Sequence, residues 1–117
     1  MITAIIGSRT FTNYNYFFNK IKHLKFEKII SGGASGADSL AKKFALENKI
    51  PFLEIPANWE KFGKSAGFIR NVDIIDQAEV VIAFWDGKSK GTSHSIQLAK
   101  KKNKEVLIFR YLEKKLF

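Results

Sequence analysis

Eight consecutive residues, Ser31-Gly32-Gly33-Ala34-Ser35-Gly36-Ala37-Asp38, hold the densest chemical information in this chain. Glycines permit positive φ and let a backbone approach a ligand with no Cβ between them, and a helix starting near Ala37 would expose its first amides. Together these make a candidate cradle for an anion such as phosphate. The spacing is neither that of a Walker loop, which closes on Lys-Ser or Lys-Thr, nor Gly-x-Gly-x-x-Gly, because Gly32 and Gly33 are adjacent. The competing reading is a tight strand-to-helix turn that binds nothing. Arg9, in Gly7-Ser8-Arg9, has the planar fork to grip phosphate or carboxylate, or alternatively to brace the loop through Asp38 or Asp86. Asp38 either complements a helix dipole in the first turn or hydrogen-bonds a ribose hydroxyl or Arg9.

Asp86 ends an apolar run, where desolvation is expected to raise its pKa and make it the candidate general acid or base. Trp85 beside it is either a surface for stacking a base or part of the core. His94 is expected in the first turn of a helix, where the dipole favours a neutral imidazole that contacts ligand. Lys88 and Lys90, next to Gly91, either neutralise phosphate or belong to a solvated loop.

The elements that must position these residues follow from periodicity. Residues 2–6 read as a buried strand, and Tyr14, Phe17, Phe18, Ile21 and Leu24 mark one face of a helix over 13–24. A second strand over 27–31 leads through the glycine loop to a helix with Leu40, Ala41, Phe44 and Ala45 on one side, ending at Asn48. Pro51 to Ile55 reads as a third strand, followed by an irregular connection, Pro56 to Ser65, that carries Trp59. Connections of that length in a compact domain are often functional. A third helix begins at Ala66, with Phe68, Val72, Ile75 and Ala78 on one side. Residues 79–85 form the strongest strand, with the unbroken apolar run Val80 to Phe84 suited to a sheet centre. A fourth helix capped by Thr92-Ser93 and a last strand over 105–111 complete the pattern.

Five strands alternating with four helices predict an α/β fold: a Rossmann-like three-layer sandwich whose five-stranded parallel sheet, in order 3-2-1-4-5, has helices on both faces. Ligands bind such sheets outside the carboxyl ends of the strands, near the point where strand order reverses. In that order the segments 7–12, 32–38 and 86–92 converge on one crevice. One domain over 1–112 and a short basic tail over 113–117 are expected.

These motifs resemble a known family, the SLOG superfamily of Rossmann-like domains and within it the YspA-like branch of bacterial and phage proteins. The resemblance rests on Gly7-Ser8-Arg9 with Phe11, the Ser31 to Asp38 loop, Gly67 with Arg70-Asn71, Phe84-Trp85-Asp86-Gly87, and Gly91-Thr92 with His94. It implies a pocket for a nucleotide or nucleotide-derived ligand and adds Asn71 to the candidate ligand-binding residues. Two relatives pull the function apart. LOG-type phosphoribohydrolases release a base from a nucleoside monophosphate using an arginine and a glutamate. Arg70 looks like that arginine, and Gly91-Thr92 like the turn before that glutamate, whose place is taken here by Ser93, His94 and Ser95. DprA, on a similar fold, binds single-stranded DNA. A plain alternative for Arg70 is an ion pair with Asp73 one turn along the helix.

The expectation is therefore a binder of a nucleotide-derived ligand, acting as sensor, sequestering protein or degenerate hydrolase. Phosphate would rest on the amides of Gly32 to Ala37, helped by Arg9 and Thr92, with base or ribose near Trp59, Asp86 and His94. An N-glycosidic hydrolase is the alternative, with Arg70, Asp86 and His94 as its catalytic candidates. Lys and Arg number 20 against 11 Asp and Glu, giving a net charge of +9, which keeps single-stranded nucleic acid as a second alternative. Much of the excess is lysine at Lys100 to Lys104, where cations also complement a helix C-terminus. The absence of cysteine and the presence of only two histidines, His23 and His94, argue against disulfides and zinc; no metal or cofactor is expected. Short apolar runs and an amino terminus without a basic leader point to a cytoplasmic protein with no membrane contact. The resemblance, and not the spacing, implies a homodimer or higher homo-oligomer that pairs the third and fourth helices.

Overall fold

The computed structural model describes residues 1–112, and the expected basic tail over 113–117 lies outside the described residues. Strands β1 (Ile2–Gly7), β2 (Lys28–Ser31), β3 (Phe52–Glu54), β4 (Val80–Trp85) and β5 (Glu105–Arg110) form one sheet in the order β3-β2-β1-β4-β5. Every pairing is parallel, so each connection crosses over a face of the sheet. The strand order reverses between β1 and β4, which pair from Thr3 with Val80 to Gly7 with Phe84.

Alternation along the strands splits the core in two. Ile5, Ile82 and Phe84 point to the face covered by helices α1 (Tyr14–Ile21) and α2 (Ala37–Glu47), where they meet Phe11, Phe17 and Phe44. The rings of Phe11 and Phe17 stack on Phe84 with centroids 5.1 and 4.7 Å apart. Ala4, Ile6, Val81 and Ala83 point to the other face, covered by α4 (Ala66–Gln77) and α5 (Lys90–Lys101) through Ile74, Ile75, Ile96 and Ala99. Small residues on that face let two helices approach the sheet closely.

Several boundaries differ from the expectation. Helix α1 stops at Ile21, three residues short, because Leu24 turns its amide back to the Ile21 carbonyl and the chain leaves the axis. The connection after β3 is not wholly irregular: α3 (Trp59–Phe62), capped by Asn58, and a 3-10 turn over Gly63–Ser65 lead directly into α4. Helix α5 begins at Lys90 with Ser89 as its cap, so Gly91 and Thr92 are helical and Thr92-Ser93 is not the cap.

Candidate functional site

Among the described residues, α2 and α5 cover opposite faces of the sheet, and their first turns, with Asp38 on one and Gly91 and Thr92 on the other, flank the end of the β1 and β4 junction. Between them lies a crevice of about 370 Å³. Gly7, Ser8 and Arg9 come from the loop after β1, Ala34 and Asp38 from the glycine loop, Arg70 and Asn71 from α4, and Asp86, Gly91 and Thr92 from β4 and α5. The loops thus meet above one edge of the sheet. A second lobe of about 450 Å³ adjoins it above β2 and β3, sharing Arg9, Ala34 and Arg70 and adding Gly32, Gly33, Ser35 and Trp59. A larger cleft, about 800 Å³, lies beside β5 among Phe11, Tyr16, Arg110 and Tyr111 and receives none of the glycine loop.

The loops are locked to each other by backbone contacts. The Ser8 carbonyl accepts from the Phe11 and Ala37 amides, each at 3.2 Å, while the Ser8 amide donates to the Phe84 carbonyl at 3.0 Å. Gly36, at φ 76°, has no room for a side chain because a Cβ would overlap the Ser8 and Arg9 carbonyls. A Cβ at Gly7 would come 2.7 Å from that of Ala37 and press on the Phe84 carbonyl. These two glycines therefore serve contact between protein segments. Gly32 is different: its Cα faces side chains, with Arg70 Nη1 2.7 Å and the Asp38 carboxylate 2.8 Å from where a Cβ would stand.

Part of the amide cradle is already engaged. The Ala34 amide donates to Asp38 Oδ2 at 3.1 Å, and the Ala37 amide is used by Ser8. Asp38 is buried, at 8 % exposure, and burial pushes its carboxyl above the usual range although the Ala34 amide and the Arg70 charge pull the other way. Arg70 reaches from α4, donating from Nη1 to the Gly32 carbonyl at 2.9 Å and from Nε to Asn71 Oδ1 at 3.1 Å. Its contacts tie α4 to the glycine loop, and the intrahelical pair with Asp73 does not form among the described residues. Arg9 has no carboxylate within ion-pair distance among the described residues, so it braces neither Asp38 nor Asp86.

Asp86 departs from its expected chemistry. Gly87, at φ 83°, turns the chain so that the Lys88 and Ser89 amides both donate to Asp86 Oδ1 at 2.8 Å. Burial raises its pKa, but these amides, helped by the Ser8 hydroxyl, outweigh that and hold the carboxyl below the ordinary value. It is an ionised turn former and not a proton donor at neutral pH. The same turn sets Ser89, whose hydroxyl lies 3.1 Å from that of Thr92 and caps α5.

His94 and Trp85 are not brought into the crevice. His94 follows Thr92 by two helical positions, about 200° around the axis, and its ring meets Phe68 of α4 edge-on at 4.7 Å. Trp85 alternates onto the α4 and α5 face, donates from Nε1 to the Ser89 carbonyl at 3.1 Å and lies beneath the Arg110 guanidinium. Lys88 and Lys90 are exposed and outside the lining of both lobes. Sequence reasoning missed Ser89 and Ser95, which line the crevice. The spacing 91, 92, 95 on one helix face was the available signal for Ser95.

This arrangement defines a class, a doubly wound α/β domain with its polar crevice at the switch point of the sheet. The model of the YspA, cpYpsA-related SLOG family matches residues 1–62, just over half of the chain. The protein therefore belongs to that family. The matched span includes Arg9 and the glycine loop and ends before Arg70. A curated relative, the Gene 61 protein of Mycobacterium phage D29, is 38% identical over 88 residues, covering 69% of this chain and 70% of its own length. Among the described residues no helix is long and apolar enough to cross a membrane.

Proposed function

We propose that the protein binds a nucleotide or nucleotide-derived ligand with its phosphate in the crevice between the amino ends of α2 and α5. SLOG membership supports a nucleotide-related function in general. The observation that carries the finer reading is Arg9: an arginine without an acidic partner among the described residues, facing a crevice where two helix amino ends meet. Phosphate there gains a charge-assisted contact from Arg9, the Gly91 amide side of α5, and the field of both helices. The Asp38 carboxylate occupies the Ala34 amide, which moves the phosphate seat from the middle of the glycine loop toward Arg9 and Thr92.

Binding without turnover is the reading this geometry favours over N-glycosidic hydrolysis. Asp86 is held ionised by backbone amides and His94 packs on Phe68, so neither stands in for the absent glutamate. The test is mass spectrometry of small molecules released from the purified protein, followed by a thermal-shift panel of nucleotides. A nucleotide recovered intact that also raises the melting temperature fits the proposal. Release of free base from it during incubation would favour the hydrolase, and no shift with any phosphorylated nucleoside would count against both.

A further inference from the structure

The second lobe differs from the first in what surrounds it. Its wall is Trp59, which stands at the mouth with 54% of its surface exposed. Tryptophan is usually well covered in folded proteins, and an exposed indole at the edge of a cavity is an open stacking surface. The indole leans on the first turn of α4, where a Cβ at Gly67 would come within 3.7 Å of its edge. Otherwise the segment stands clear of the core. Neither α3 nor the 3-10 turn contributes a buried residue; α3 is held by its Asn58 cap and ends at Gly63, whose φ of 54° and ψ of −131° suit glycine alone.

The charged residues lining this lobe are Arg9 and Arg70, and the carboxylates nearest it stand behind the glycine loop. Glu54, 3.7 Å from Lys42, lies against Gly33, and the Asp38 carboxylate lies beside Gly32. Arg9 and Arg70 border both lobes, so the boundary between them is cationic. A lobe of about 450 Å³ also falls in the ordinary range for small-ligand sites.

Resting on the phosphate seat proposed above, we infer that the ligand lies across both lobes in one orientation, with its aromatic base stacked on Trp59 and its phosphate beyond Arg9. The ligand class is then a base-bearing nucleotide, and a bare sugar phosphate fills only the first lobe. Stacking also draws the α3 segment onto the ligand, since little else holds it.

Titration calorimetry of the full chain with AMP, UMP and ADP-ribose, and with ribose 5-phosphate as the baseless control, tests this. Trp59→Ala is expected to weaken the best base-bearing ligand about 5- to 150-fold, while ribose 5-phosphate binds wild type and variant alike. Trp59→Phe should restore most of the affinity, and the change in indole emission on nucleotide binding should vanish in it. If ribose 5-phosphate binds and Trp59→Ala leaves nucleotide affinity unchanged, the base seat is refuted while the phosphate seat stands. Equal weakening of both ligands would make Trp59 a structural support and overturn the inference. Binding of none of the four would overturn the base seat and the phosphate seat together.

Discussion

Replacing Gly36 with alanine tests whether the crevice exists because the loops after β1 and β2 are clamped together. Two costs add. Alanine at φ 76° and ψ −129° sits in a region that only glycine occupies without strain, at about 1–3 kcal/mol. Its Cβ would also overlap the Ser8 and Arg9 carbonyls, forcing the β1 loop away and weakening the Ala37 to Ser8 hydrogen bond, worth about 1 kcal/mol. The sum is about 3 kcal/mol, a fall of roughly 12 °C in Tm at about 4 °C per kcal/mol for a domain of this size. Gly91→Ala is the matched control. Gly91 is helical and a Cβ there meets nothing within 4 Å, so the change should leave Tm unchanged or raise it by about 2 °C. Differential scanning calorimetry and urea unfolding give both values. Equal melting temperatures for the two variants would refute the clamp.

Other consequences can be measured on the same protein. Arg9→Ala should leave stability within about 0.5 kcal/mol, since no acidic partner is lost among the described residues. It should weaken nucleotide binding about 10- to 150-fold, from a charge-assisted contact worth ~1.5–3 kcal/mol. The depressed pKa of Asp86 gives stability that is present above the unfolded value and lost as pH falls through the folded one, so Asp86→Asn should flatten the acid limb of the stability curve. Asp38 has the opposite sign. Its folded pKa is raised, so its ionised form costs stability that is recovered as pH falls below the folded value toward 3.8, and Asp38→Asn should be at least as stable as wild type at pH 7. Phe84→Ala, at the centre of the aromatic stack, should cost about 3–5 kcal/mol in urea unfolding.

The sheet was legible because its strands obey one rule. Val80 to Trp85 is apolar at every position, as a strand covered on both faces must be, and strands alternating with helices leave few orders open. Order 3-2-1-4-5 then placed three distant loops together. What escaped was local hydrogen bonding. Asp86 looked like a desolvated carboxylate because apolar neighbours precede it, but the two amides that capture it depend on a positive φ at Gly87. Ser89 took the cap from Thr92 for the same reason, since that turn starts the helix three residues sooner. His94 was placed by its distance from the helix start, whereas its angle around the axis decides what it meets. For Asp38 the sequence offers a helix dipole, a ribose hydroxyl or Arg9 as partner, and only the folded loop shows its carboxylate against the Ala34 amide.

The central claim is that ligand phosphate sits between the loops at the β1 and β4 junction, and a crystal structure of the complex with the nucleotide that co-purifies or binds best measures that directly. The phosphate is predicted within hydrogen-bonding reach of Arg9 and the first turn of α5. A phosphate found instead beside Tyr16 and Tyr111, in the cleft along β5, would contradict the account.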